Sequence, residues 1–252
     1  MDWTEQVFRY CERGSDPSAW AEPFNATSNL AFVAAAVAAG VRVRRMPVRS
    51  EAAAAVWLLI ALAGAVGIGS FYFHTVATRA GMLADVVPIG LFMVVYLGFA
   101  LRTVLDWSLI RVGLGLAAFA ALFAVSAQLP CRPAGPGLVD AMRLADWCLN
   151  GSIGYLPALV ALSAVAVLAR RVNRTAARSL AITAIVFALS LVARSLDLAT
   201  CPLLRLGPLS IGGHALWHLG VAVVVHQLLV AAATAAAVQA AAGRSSFQTR
   251  KP

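Results

Sequence analysis

Apolar residues in this chain come in runs of roughly twenty, the length that a helix rising 1.5 Å per residue needs to cross about 30 Å of hydrocarbon. The runs fall at residues 24–41, 52–73, 82–101, 107–127, 151–169, 176–195 and 209–232. They predict an all-α polytopic membrane protein, a seven-helix transmembrane bundle. Small-residue stretches such as 61–69 and 112–118 suit close packing of helix backbones in lipid. On this reading residues 1–23 form an N-terminal segment outside the membrane, 24–236 the transmembrane domain, and 237–252 a cytoplasmic tail without ordered structure. Residues 1–20 are polar and mixed in charge, unlike a cleavable signal peptide, so the first span drives insertion.

Composition agrees with the pattern. Of the 252 residues, 61% are hydrophobic and 12% charged, against roughly half and a quarter in soluble domains, and the mean hydropathy is +0.81. No water-soluble core of this size could hide so much apolar surface. The formal charge of +9 does not indicate nucleic acid, because the arginines form short clusters between apolar runs. They act as a topology signal. One set of alternate loops holds Arg42, Arg44, Arg45, Arg49, Arg102, Arg111, Arg170, Arg171, Arg174 and Arg178, with Arg244, Arg250 and Lys251 in the tail. The other set is poorer, with Arg9, Arg13, Arg79, Arg132, Arg143 and Arg205. By the positive-inside rule the N-terminus lies outside and the C-terminus in the cytoplasm. All four cysteines, Cys11, Cys131, Cys148 and Cys201, then fall on the outer side, where disulfides form, with three pairings open.

Ionisable residues inside spans are costly and usually functional. His214 and His218 are four apart, so they project from one helix face with the spacing that presents two imidazoles to one metal. Ser70 and His74 repeat that spacing at the outer end of the second span, and Asp85 opens the third. Three imidazoles, His74, His214 and His218, suit a catalytic zinc, which leaves its fourth position to water. Zinc lowers the pKa of such a water to about 7. Asp85 is placed to take its proton and return it to a leaving amine, and Ser70 to hydrogen-bond that water or the developing oxyanion. His226, two turns beyond His218, reads as packing. Glu12, Asp16, Glu22 and Asn25 are hard oxygen donors that suit calcium, although Asn25, Thr27, Ser28 and Asn29 also suit helix capping.

These residues together resemble the alkaline ceramidase family, within a superfamily of seven-helix membrane hydrolases that includes progestin and adiponectin receptors. The resemblance rests on Cys11-Glu12, Trp20-Ala21-Glu22-Pro23-Phe24-Asn25, Ser28-Asn29-Leu30, Gly69-Ser70 through His74, Asp85, Ser195-Leu196-Asp197 with Cys201, and His214 with His218. It implies zinc on His74, His214 and His218, water activated with Ser70 and Asp85, and hydrolysis of ceramide to sphingosine and fatty acid. It also implies a disulfide between Cys11 and Cys201, which leaves Cys131 with Cys148, and an N-terminal calcium site. There Glu12 and Glu22 match acidic positions, the residues between them differ from animal members, and Asp16 is a candidate ligand. The alanine- and arginine-rich composition points to a high-GC bacterium, hence an inner-membrane protein with its zinc site toward the periplasm and, as substrate, ceramide or another N-acyl lipid. The partners expected are the bilayer and that lipid, with no nucleic acid. The competing reading is a receptor-like or signalling seven-helix protein with a structural zinc and little turnover. A transporter is disfavoured, because no internal repeat with paired broken helices is present.

Overall fold

The structure, a computed structural model, describes residues 2–7, 10–46, 51–129, 149–207 and 209–248. Cys131, Cys148, Arg9, Arg49, Arg132, Arg143, Arg250 and Lys251 lie outside the described residues. Among those described, seven helices are long and apolar enough to cross a membrane.

The first span begins with Pro at the first helical position, where its missing N–H costs nothing, and is made of α1 (Pro23–Ser28) and α2 (Leu30–Arg44). The second is α3 (Glu51–Val76) and the third α4 (Arg79–Phe99), which runs on into a π turn at Ala100–Val104. The fourth, fifth and sixth are α5 (Leu109–Ala127), α6 (Leu156–Ala169) after a 3-10 turn at Ser152–Tyr155, and α7 (Arg174–Ser195). A short α8 (Asp197–Thr200) and a hairpin of β1 (Arg205–Leu206) and β2 (Leu209–Ser210) lead into α9 (His214–Gln248). Large apolar side chains point outward along these helices, for example Ile68 at 67% exposure and Leu189 at 65%, as lipid-facing surfaces do.

Among the helix starts that differ from the sequence expectation, two have clear local causes. Helix α4 begins at Arg79 because the Thr78 hydroxyl accepts the Gly81 N–H at 3.2 Å and caps it. The seventh span begins at His214 and not near residue 209, because Leu209 and Ser210 pair with Leu206 and Arg205 in the hairpin. That hairpin and an isolated bridge between Gln6 and Thr78 are the β structure among the described residues. At the other end α9 continues to Gln248, so residues 237–248 are helical where an unstructured tail was expected. The alanine-rich sequence there favours helix.

The pairing of α3 with α4 positions the polar residues. Pro88 has no N–H to close on the Ala84 carbonyl one turn earlier, and that carbonyl lies against Gly69 of α3 so closely that a β-carbon there would overlap it. The contact brings Ser70 beside Asp85, the residue after Ala84. Gly64, on the same helix, faces open space. Gly69→Ala is therefore expected to lower the melting temperature in detergent by several degrees, since overpacking costs about 1–3 kcal/mol. Gly64→Ala should leave it unchanged or slightly raised. Equal melting temperatures for the two variants would show that the close approach is not what holds the pair together.

Candidate metal centre

Helix α3 presents His74 in its last turn, one turn beyond Ser70, and α9 presents His214 as its first residue with His218 one turn on. The three rings converge, with centroids 5.1 Å apart for His74 and His214, 4.8 Å for His74 and His218, and 4.5 Å for His214 and His218. One nitrogen from each lies within 4.8 Å of the others. All three side chains are buried, and neither His74 Nε2 nor His214 Nδ1 has a hydrogen-bond partner. Orphaned imidazole nitrogens facing one point in a dry interior are the arrangement a metal ion satisfies. His226, half-buried farther along α9, takes no part.

The ring nitrogens that face away are held. His74 Nδ1–H donates to Glu22 Oε2 at 2.6 Å, and His218 Nδ1 hydrogen-bonds the Ser28 hydroxyl at 2.8 Å. Tyr10 stacks on His214 at 3.8 Å between ring centres. The backbone beneath His214 is fixed by Asp197, fully buried, whose Oδ1 accepts the N–H groups of Gly213 (2.8 Å) and His214 (2.9 Å). Its Oδ2 accepts the Cys11 N–H at 2.9 Å. Gly212, at φ +61°, turns the chain into α9, and a β-carbon there would overlap Asp197 and Cys11. A disulfide joins Cys11 to Cys201 across 190 residues of sequence. Carboxylate and hydroxyl partners behind metal-binding histidines fix tautomer and orientation, so this donor set fits zinc.

Ser70 and Asp85 line the same cavity as His214 and His218. The Ser70 hydroxyl lies beside the Asp85 carboxyl, whose Oδ1 is buried without a partner. The serine anticipated beside a water thus meets the aspartate directly.

The N-terminal carboxylates do not fit a calcium cage. Glu12 accepts the N–H groups of Phe24 and Asn25, at 2.7 and 2.8 Å, and so caps α1; burial raises its pKa against those two bonds. Asp16 is exposed and accepts the Ser18 N–H at 2.8 Å. Glu22 binds His74 on one oxygen and the Arg13 Nε–H on the other, at 2.6 Å. Burial alone would push its carboxyl up, but the hydrogen bonds and charge from His74, with Arg13 and Asn25, hold it below the usual range. Arg13, itself buried, also donates to the carbonyls of Asp16, Ser18 and His74 at 3.1, 2.7 and 3.0 Å. A guanidinium fills the oxygen-lined space that a cation would need. The sequence reading placed Arg13 only in a loop count, because nothing in its neighbours' spacing signals burial. Tyr10 and Ser28 were likewise unassigned as supports, and Asp197 appeared only within a motif.

The sequence matches the family described as Ceramidase over residues 2–250. No curated protein matches it.

Two outcomes follow from this geometry. Glu22→Gln should weaken zinc retention by about 10–100-fold in a chelator titration, as loss of a carboxylate behind a metal-binding histidine does; an unchanged titration would remove Glu22 from that role. Calcium and its selective chelation should both leave the melting temperature unmoved, because Arg13 already holds the N-terminal oxygens.

Proposed function

The chain belongs to the Ceramidase family, and on that premise we propose that it is an intramembrane zinc-dependent amidase acting on the N-acyl bond of ceramide or a related N-acyl lipid. The observation that carries the reading is the buried cluster of His74, His214 and His218 opening onto a cavity that also holds Ser70 and Asp85. Farther in, the cavity wall is apolar, with Phe92, Leu162 and Val165 among its lining. An acyl chain can remain in an apolar surround while its amide reaches the polar end.

Zinc bound by the three histidines would supply Lewis acidity, polarising a carbonyl and lowering the pKa of water to about 7. The protein's own groups supply proton transfer and positioning. Asp85 Oδ1, buried and unpartnered, is placed to accept the proton of an attacking water and to hand it to the leaving amine as the C–N bond breaks. Ser70, beside the Asp85 carboxyl, is placed to hydrogen-bond it or the water during that exchange. Glu22 and Ser28 keep His74 and His218 in the tautomers that free their inner nitrogens.

The orientation we assign has the N-terminus and metal centre outside and the C-terminus in the cytoplasm, which for a bacterial protein puts the centre on the periplasmic side. The disulfide Cys11–Cys201 supports it, because such bonds persist in oxidising compartments. The arginines at the opposite helix ends, including Arg42, Arg44, Arg102, Arg170 and Arg171, support it too.

The decisive experiment measures zinc by mass spectrometry on purified protein together with fatty-acid release from a panel of N-acyl lipids. His218→Ala should lose zinc and hydrolysis together. Asp85→Asn should keep zinc and lose turnover by at least about 100-fold. Hydrolysis surviving in either variant sinks the mechanism, and stoichiometric zinc without hydrolysis of any lipid favours the receptor-like alternative.

A further inference from the structure

Among the residues lining the cavity, Arg194 carries the one guanidinium or ammonium group. It sits in the last turn of α7, is only 6% exposed, and makes no ion pair with any Asp or Glu among the described residues. Nη1 donates to the Asn150 carbonyl at 2.5 Å and the Ser152 hydroxyl at 3.3 Å. Nε is buried with no acceptor. The guanidinium carbon lies 5.2 Å from the centre of the Tyr155 ring and 5.9 Å from that of Trp217, and a β-carbon on Gly151 would stand 3.4 Å from both Nη atoms. The bay is closed around the cation on three sides.

The acids nearest in sequence and in the site are already engaged. Asp197, three residues on, spends its oxygens on three backbone N–H groups, and although the charges of Asp197 and Asp85 reach the guanidinium, neither makes an ion pair with it. A buried cation without a direct ion pair, and with one N–H lacking an acceptor, is costly in lipid. The planar fork of an arginine matches a carboxylate, which can take two N–H donors at once. Arg194 also lies at the depth of the metal centre and away from the apolar floor: it stacks near Trp217, the neighbour of His218, and its helix end leads directly to the Asp197 that holds His214. A charge at that depth meets the polar end of a bound lipid.

We propose that Arg194 is a carboxylate-binding residue of the lipid cavity, engaging a carboxylate at the polar end of the lipid cleaved or of the fatty acid released. The proposal rests on the amidase reading, and a substrate carboxylate would narrow its substrate class from neutral ceramide toward acidic N-acyl lipids. The reaction is unchanged: water adds across the C–N bond, the acyl carbon leaves as a carboxylate and the amine takes the proton. The carboxylate bound by Arg194 has two sources, the amine portion of the substrate or the released fatty acid.

The test uses the full-length zinc-loaded protein with N-palmitoylglycine and N-palmitoylethanolamine, which share an acyl chain and differ in carboxylate against hydroxymethyl. A substrate carboxylate predicts a kcat/KM ratio of at least about 10 for the glycine conjugate, the size of effect a charged hydrogen-bonded contact gives. That ratio should fall to near unity in Arg194→Met and be partly kept in Arg194→Lys. Equal use of the two lipids, together with palmitate inhibition weakened at least about tenfold in Arg194→Met, assigns the carboxylate to the product. Equal use with unchanged palmitate inhibition overturns the proposal, as does a proportional loss on both lipids in Arg194→Met, the mark of a residue that only ties the 150–152 turn to α7. The native protein's own preference decides the matter if the variants fail to fold. Should the zinc-loaded protein hydrolyse neither lipid nor ceramide, the amidase reading falls, and tryptophan fluorescence titration then tests Arg194 by itself; hydrolysis of ceramide but of neither conjugate overturns the substrate carboxylate. Tighter binding of N-palmitoylglycine than of the ethanolamide supports it; equal binding overturns it.

Discussion

The Glu22 carboxylate, set between the Arg13 guanidinium and the His74 imidazole, is the interaction on which the polar end of this bundle depends. Each of the three groups would be prohibitive if buried alone. Together they form a chain in which every charge faces an opposite charge or a hydrogen-bond acceptor. The same chain carries structural information from the N-terminal segment to α3, because Arg13 also gathers the carbonyls of Asp16, Ser18 and His74. The N-terminal segment is thus a wall of the metal centre, and the orientation of His74 is set by residues far from it in sequence.

A second anchor does for α9 what Glu22 does for α3. Asp197 binds the backbone of Gly213, His214 and Cys11. The start of the last helix is therefore fixed by a carboxylate from the chain just before it and by the N-terminal segment. Close backbone approach supplies the third constraint: Gly69 lets α3 lie on the Ala84 carbonyl that Pro88 leaves free, which brings Ser70 to Asp85. Three separate devices, two polar and one a close backbone approach, hold the histidines, the aspartate and the serine.

The seven spans were legible because a bilayer imposes one length and one composition on every helix that crosses it. The histidine cluster was legible because His214 and His218 share a helix face by their spacing alone, and His74 is one of very few other ionisable groups within a span. What escaped the sequence reading is whatever depends on contact between segments remote in the chain. Arg13 looked like any loop arginine until the fold closed Glu22 and the α3 carbonyls around it, and for the same reason the acidic residues near it read as cation ligands. Arg194 sat at a helix end, where an arginine is unremarked unless its surroundings are known. Helix boundaries moved where local structure overrode hydropathy: at the Thr78 cap, the 205–210 hairpin, the 3-10 turn before α6 and the alanine-rich end of α9.

The metal centre draws on Cys11, Arg13 and Glu22 from the beginning of the chain and on Cys201, His214 and His218 from near its end, with the disulfide closing 190 residues of sequence. Its contacts join segments remote in sequence, so its assembly carries the entropy cost of closing a long loop. During biogenesis six spans must already be threaded into the bilayer, the seventh released from synthesis and the two ends brought face to face before three imidazoles exist to share an ion. A chain interrupted anywhere before α9 would lack two of the three imidazoles however well its apolar helices inserted, so the cluster exists only in a chain whose last span has been made.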